Sequence, residues 1–217
     1  MRSRVVGRRR DFALAILAVT LAAAARAADA PCDSTETCLR ALAAAQESTR
    51  TIDARFVQTK HLALLDEPLV STGRFRFRRP DRMRIDVEKP RALTIVVAGD
   101  QLTVPGMPER ERRAMAGGPM AGMFREIGAL FAGQLAKPPP GFAMDARAAD
   151  GGVEVTLTPT AAEYQQLFQR IALRFHGRDL TLQAMRLDEA LGDRLEIELR
   201  DVQRNVELPD DAFQPPG

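Results

Sequence analysis

The chain has 217 residues, 45% of them hydrophobic, which suits one globular domain with a single core. Its formal net charge is only +2, and five of its 31 basic side chains fall within the first ten residues. The remainder is close to neutral. This argues against a nucleic-acid-binding protein, because such proteins present a strongly basic surface.

The first 27 residues have the features of a secretory signal peptide. A basic start precedes an apolar run from Phe12 to Ala25, and Ala25-Arg26-Ala27 supplies a small-x-small cleavage site. Losing these residues removes six arginines and one acid, which changes the net charge from +2 to −3. We expect residues 28–217 to form one periplasmic domain. The sequence RRRDF leaves twin-arginine export open beside the general secretory route, which we favour.

A helix is predicted next to the two cysteines, Cys32 and Cys38. On one continuous helix their separation would exceed the reach of a disulfide, so a bridge requires Cys32 to lie before the helix. Two free thiols are the alternative. Asp33 and Glu36 predict a capping box for a helix ending near Thr49. The predicted buried side of this helix consists of Leu39, Leu42 and Ala43.

From residue 52 onwards the apolar period changes to two, which is typical of strands with one buried face. In STGRFRFRRPDRMRIDVEKP, residues 71–90, Phe75 and Phe77 alternate with arginines. Aromatics among basic residues also occur on nucleic-acid surfaces, but acidic residues share this polar face. The repetition of this alternation along the chain predicts nine or ten antiparallel strands in a large curved sheet or barrel. The later strands are predicted from Val153, Val155, Leu157, Ile171, Leu173, Phe175, Leu180, Leu182, Leu195, Ile197 and Leu199.

One segment interrupts the strand pattern. Between Pro119 and the prolines at 138–140, apolar residues recur at spacings of three and four, which predicts an amphipathic helix. Its methionines could repack around varied shapes. This helix either covers an apolar site or packs shut against the sheet. Its apolar residues are Met120, Met123, Phe124, Ile127, Leu130 and Phe131.

The sequence contains none of the common catalytic or metal-binding motifs. No serine lies in a G-x-S-x-G turn, and H-E-x-x-H, C-x-x-C and phosphate-binding glycine loops are missing. We therefore expect a protein that is not an enzyme and that uses no cofactor or metal ion. A lipid hydrolase is the weakest of the alternatives.

Four motifs occur in order between Leu39 and Gly217. They are TIDARFVQT, GRFRFRRPDRMRIDVEKP, IVVAGDQLTV and the tail LPDDAFQPPG. Their order and spacing resemble those of the LolA family of periplasmic outer-membrane lipoprotein carriers. The chain departs from the family in lacking tryptophan, in its inverted Gly99-Asp100 turn and in its methionine-rich segment 120–131. These departures leave room for a specialised paralogue that handles another lipid.

The resemblance implies an α+β, mainly β fold: an incomplete antiparallel β-barrel with an N-terminal helix and a helical lid over an apolar cavity. It implies a carrier that shelters the acyl chains of a lipid-modified protein, or a related lipid. An inner-membrane transporter would load it and an outer-membrane acceptor would unload it. The family's lid-latching arginine matches Arg79, and the predicted lid is the helix at 120–131. The predicted cavity residues are Phe56, Phe75, Phe77, Met83, Ile85, Val87, Ile95 and Val97.

We further expect a monomer with no nucleic-acid partner. The alternative function is a periplasmic sensor or adaptor that binds another envelope protein.

Overall fold

The computed structural model describes residues 32–99, 101–108, 110–111 and 137–214. The predicted signal peptide and the predicted lid helix lie outside these residues. Within the described residues, no helix combines the length and the apolar composition needed to span a membrane.

Ten antiparallel strands form one curved sheet, in the order β5-β4-β3-β2-β1-β10-β9-β8-β7-β6. Its two edge strands, β5 and β6, are not paired with each other, so the sheet does not close. The predicted mainly β, incomplete barrel is confirmed. The strands are β1 (Thr51–His61), β2 (Leu69–Arg78), β3 (Arg82–Lys89), β4 (Leu93–Ala98), β5 (Gln101–Thr103), β6 (Phe142–Ala149), β7 (Gly152–Pro159), β8 (Phe168–His176), β9 (Thr181–Glu189) and β10 (Arg194–Arg204).

Strand β6 was not predicted from the sequence. Its sequence, FAMDARAA, is rich in alanine, which has a low β-propensity and blurs the alternation of apolar and polar residues. Leu180 was assigned to a strand, and this was wrong. It lies in the β8–β9 turn with a φ of +41°, and β9 begins at the next residue.

Helix α1 (Thr35–Glu47) precedes the sheet, and a one-turn helix α2 (Ala162–Gln165) and a 3₁₀ turn (Asp210–Phe213) follow later. The predicted capping box at Asp33 and Glu36 is wrong. Ser34 is the N-cap: its hydroxyl accepts the Thr37 N–H at 3.3 Å, and the Thr37 hydroxyl accepts the Ser34 N–H at 3.0 Å. Glu36 instead pairs with Arg40 at 2.6 Å.

The strand register places most of the apolar residues on one face of the sheet, here called the inner face. Ile52 lies opposite Phe77, Phe77 opposite Met83, and Met83 opposite Val97. The same pairing continues across the other half of the sheet, from β6 to β9. One hydrophobic core therefore runs along the inner face of the whole sheet.

Helix α1 crosses one end of the inner face, here called the closed end. Thr35, in its first turn, contacts the β6 backbone, its hydroxyl lying 3.1 Å from the Ala146 carbonyl oxygen. Arg79 in the β2–β3 turn and Arg204 at the end of β10 donate to carbonyls of its last turn. Leu42 of the helix is fully buried in the core. The opposite end, with the β1–β2, β3–β4 and β9–β10 connections, is called the open end.

The C-terminal tail covers part of the other, outer face. Arg78 and Arg84 alternate with the inner-face residues of β2 and β3, so they project outwards. The Arg78 guanidinium lies 5.0 Å from the centre of the Phe213 ring, and Arg84 donates to the Gln214 carbonyl at 2.9 Å. Phe213 is buried with Leu208 in a small second cluster.

Candidate functional site

The inner face becomes accessible toward the open end. Along β3, Met83 is only 2% exposed, whereas Ile85 and Val87 are half-buried. Along β4, Ile95 is half-buried and Leu93 is 40% exposed. Along each of these two neighbouring strands, the apolar side chains are thus buried in the core at one end and accessible to solvent at the other. We call these four, Ile85, Val87, Leu93 and Ile95, the apolar strip.

Strand β10 extends accessible apolar surface to the centre of the sheet. Ile197 and Leu195 are half-buried, and they lie opposite Gln58 and Lys60 of β1. A mainly aliphatic floor with a polar border suits a ligand that has an apolar part and a polar head.

The structure brings all eight predicted cavity residues onto the inner face of four neighbouring strands. They fall into two groups with different surroundings. Phe56, Phe75, Phe77, Met83 and Val97 are buried in the core, with exposed fractions of 7% or less. Ile85, Val87 and Ile95 are half-buried and belong to the apolar strip.

Sequence reasoning missed Leu93 as a member of the strip. It predicted the strands of Leu195 and Ile197 but did not include these residues in the cavity. The alternating pattern that placed Ile95 and Val97 on one face extends to Leu93, two residues earlier. The alternation was therefore the available signal for Leu93. No local sequence pattern shows where along a strand the inner face changes from buried to accessible.

The connection between the two edge strands begins and ends at the unpaired margins of the sheet. It leaves β5 after Thr103 and enters β6 at Phe142. The predicted lid residues fall within this connection, at positions outside the described residues. Their placement over the apolar strip therefore stays a prediction.

Arg79 is tied to helix α1. Its Nε donates to the Thr49 carbonyl at 2.5 Å and its Nη2 to the Gln46 carbonyl at 2.7 Å. The guanidinium adds a charged donor at the helix end, where the Gln46 carbonyl also accepts the Thr49 N–H at 2.9 Å. It also complements the negative end of the helix dipole. Arg204 binds the same end through the Ala45 carbonyl at 2.9 Å.

The other end of helix α1 is tied to the preceding chain. Cys32 and Cys38 form a disulfide with a Cα–Cα distance of 4.9 Å, and Cys32 precedes the helix. Cys38 is only 1% exposed. The helix is therefore fixed by a covalent bond near its start and by two arginines at its end.

Apart from Arg79, the strand arginines of residues 71–90 project from the outer face. Arg74 pairs with Asp53, Arg84 with Asp86 and Arg78 with Asp210. The hydrogen bond to Asp53 raises the pKa of Arg74 despite partial burial. These side chains are neutralised locally, which is unlike a surface prepared for nucleic acid.

Asp188 forms a similar pairing near the open end. Burial opposes its ionisation, but hydrogen bonds from Arg186 and Arg170 outweigh this and lower its pKa. Within the described part of the chain, no group of three His, Cys, Asp or Glu side chains could hold a metal ion.

Comparison with known families agrees with this geometry. The sequence model described as "Outer membrane lipoprotein carrier protein LolA" matches residues 47–216. The chain belongs to the LolA family. The resemblance inferred from the four motifs is thereby confirmed.

Individual relatives of this LolA-family chain are distant. It is 27% identical over 168 residues to an outer-membrane lipoprotein carrier protein from Dechloromonas aromatica (strain RCB), covering 77% of this chain and 78% of the relative. It is similar to a LolA superfamily protein of known structure from Nitrosomonas europaea, with 11% identity, a TM-score of 0.44 and coverage of 85% and 99%. The MucA/MucB complex of Pseudomonas aeruginosa matches with 11% identity, a TM-score of 0.49 and coverage of 84% and 61%.

For this LolA-family chain, the described side-chain partners of the predicted latch Arg79 are the carbonyls of Gln46, in the last turn of helix α1, and of Thr49, just after it. A contact between Arg79 and the predicted lid helix would involve positions outside the described residues. That part of the latch stays a prediction.

Proposed function

We propose that this LolA-family protein is a periplasmic carrier that shelters the acyl chains of a lipoprotein or a related lipid. The observation that carries the proposal is the apolar strip at the open end, in a family described as lipoprotein carriers. Periplasmic location follows from the predicted signal peptide at residues 1–27.

Among lipid groups, an acyl chain would gain the most binding free energy from such a surface. Each methylene group moved out of water contributes about 0.8 kcal/mol, so a long chain needs an extended apolar shelter. The strip spans β3 and β4, and half-buried Ile197 and Leu195 on β10 offer more apolar area on the same face. The polar border at Gln58 and Lys60 would leave the hydrophilic part of the cargo in water.

The proposed cycle has two partners: an inner-membrane transporter loads the protein and an outer-membrane acceptor unloads it. The sequence has no nucleotide-binding motif. Transfer from carrier to acceptor would then follow a difference in affinity for the lipid. We also propose that the segment with Met123 and Phe124 covers the strip in the empty protein, and that the carrier acts as a monomer.

The test is uptake of a fluorescent triacylated lipopeptide by the purified mature protein, followed as an emission change during titration. We expect saturable binding to the wild-type protein. Val87→Glu and Ile95→Glu should each weaken it at least about tenfold, because a carboxylate would be brought against the acyl chains.

The matched control is Thr158→Glu, which adds the same charge at an exposed position on the outer face of β7. It should bind like the wild-type protein. Absence of uptake by the wild-type protein, or equal binding by Val87→Glu and Thr158→Glu, would refute the proposal. A stable, lipid-independent complex with another envelope protein, without uptake, would favour the sensor or adaptor alternative.

A further inference from the structure

The described residues expose their large apolar side chains at one end of the sheet. Leu64 is 96% exposed and Leu65 53%, both in the β1–β2 connection, and Leu191 in the β9–β10 connection is 90% exposed. Leu69, Val70 and Leu93, each 40 to 52% exposed, lie in the first two residues of β2 or the first of β4. All six therefore lie at the open end.

The two loops form one structural unit. The Ala63 N–H donates to the Asp193 carboxylate at 2.9 Å, and the Ala63 Cβ lies 3.7 Å from where a Cβ on Gly192 would stand. Beneath them, the Lys60 ammonium lies 3.0 Å from the Glu189 carboxylate and 3.9 Å from that of Asp193. We call Leu64, Leu65 and Leu191 the leucine ledge.

The structure of these loops does not require leucine side chains at the positions of the leucine ledge. The β9–β10 turn is set by Gly192, at a φ of +93°, and by its N–H bond to the Glu189 carbonyl. A polar residue would serve at position 191, because a side chain with 90% of its surface in water stabilises little. Two such exposed leucines on adjoining loops are instead suited to burial in an apolar surface outside the protein.

The charges around the leucine ledge indicate which kind of partner surface it would bind. Lys60 is neutralised by Glu189 and Asp193, while Asp66 and Glu67 of the β1–β2 loop have no described ion-pair partner. This leaves no excess of positive charge to attract an anionic surface. Protein interfaces are usually centred on aromatic and arginine side chains in pockets, and the ledge has neither.

We propose that the leucine ledge inserts shallowly into a zwitterionic phospholipid bilayer. This deepens the proposed carrier function, since it would place the apolar strip beside the lipid from which cargo comes or to which it goes. Three leucines carry fewer apolar carbons than a myristoyl chain, which alone gives only weak, reversible membrane binding. The contact would therefore be brief, as a carrier that shuttles between membranes requires.

The experiment is flotation of the mature protein with phosphatidylcholine vesicles. We expect the wild-type protein to float in part, to the same extent at low and high salt. Leu64→Ser/Leu191→Ser should lower the partition coefficient about tenfold or more. Leu64→Met/Leu191→Met, which keeps apolar tips, should float like the wild-type protein.

Equal flotation of the serine variant and the wild-type protein would overturn the proposal. So would binding restricted to anionic vesicles and lost in high salt. Wild-type protein that does not float but self-associates through the same leucines would assign the ledge to a second copy of the chain.

Lipopeptide uptake separates this proposal from the carrier function. We expect the serine variant to take up lipopeptide in solution as the wild-type protein does. Failure of uptake by all variants, with leucine-dependent flotation retained, would refute the carrier function and leave the membrane contact standing.

Discussion

The two ends of the inner face are built from the same strands but have different surroundings. At the closed end, Phe77 and Met83 belong to the same buried core as Leu42 of helix α1 and are at most 2% exposed. Toward the open end of the same two strands, Leu69 is 52% exposed and Val87 is half-buried. The alternation of apolar and polar residues is the same at both ends, so it does not by itself determine which apolar residues become core and which become a candidate binding surface.

This difference separates stability from function along single strands. Phe77 and Met83 at the closed end belong to the buried core, whereas Ile85, Val87 and Ile95 of the apolar strip are half-buried and Leu93 is exposed. Substitutions at the closed end should lower the stability of the protein. Substitutions at the open end should change lipid binding while leaving the fold intact.

The largest expected effect is that of Phe77→Ala at the closed end. Removing a fully buried ring should lower the free energy of unfolding by about 3–5 kcal/mol, because it loses burial and leaves a cavity. The matched variant at the open end is Val87→Ala, for which we expect a loss of about 1 kcal/mol or less. Urea denaturation followed by circular dichroism measures both. Comparable losses at the two positions would contradict the distinction between the ends.

Much of this architecture could be predicted from the sequence. Alternation of Phe75 and Phe77 with arginines, and of Met83, Ile85 and Val87 with charged residues, identified the inner face of β2 and β3. Antiparallel pairing then placed these residues side by side. The motifs in chain order identified the family. These features are local, and a period of two is directly visible in the sequence.

The rest depended on contacts between distant residues. Nothing near Arg204 indicates that it binds the carbonyl of Ala45 across the fold. The capping prediction chose Asp33 and Glu36 because their spacing fits, yet the neighbouring Ser34 and Thr37 satisfy the helix start. The division of the cavity residues into core and apolar strip depends on packing between elements that are distant in the sequence, which no local pattern specifies.

The two arginines at the end of helix α1 test how the closed end is held. Arg79→Leu and Arg204→Leu should each lower the free energy of unfolding by about 1–3 kcal/mol, since each leaves carbonyls of the helix end without a charged donor. Their effects should be non-additive, because both bind the same turn. Urea denaturation and amide hydrogen exchange of helix α1 measure the loss.

The control for these arginines is Arg55→Leu. Arg55 lies on the outer face, 67% exposed and 3.8 Å from Glu88, so its loss should stay within about 0.5 kcal/mol. A control as destabilising as Arg79→Leu would show that the helix contacts are not the cause. If Arg79 is also the predicted latch, Arg79→Leu should still take up lipopeptide but release it poorly to an acceptor.

The smallest expected effect concerns an ion pair beside the open end. Asp188 on the outer face of β9 accepts hydrogen bonds from Arg186 at 2.8 Å and from Arg170 at 3.0 Å. Because its pKa is lowered in the folded state, the ionised form stabilises the protein above the unfolded-state pKa, about 3.9. That contribution is lost as the pH falls through the folded-state pKa.

Asp188→Asn should therefore cost about 1 kcal/mol at neutral pH, a modest loss because both arginines are 42 to 48% exposed. The difference from the wild-type protein should shrink below about pH 4 and vanish at lower pH. Urea denaturation across this pH range measures it, with Glu198→Gln, from a pair in which both side chains are 60% exposed, as control. A difference that stayed constant with pH would mean that Asp188 acts by packing rather than by charge. A normal lipopeptide affinity for Asp188→Asn would show that the pair supports the sheet at the open end without forming the binding surface.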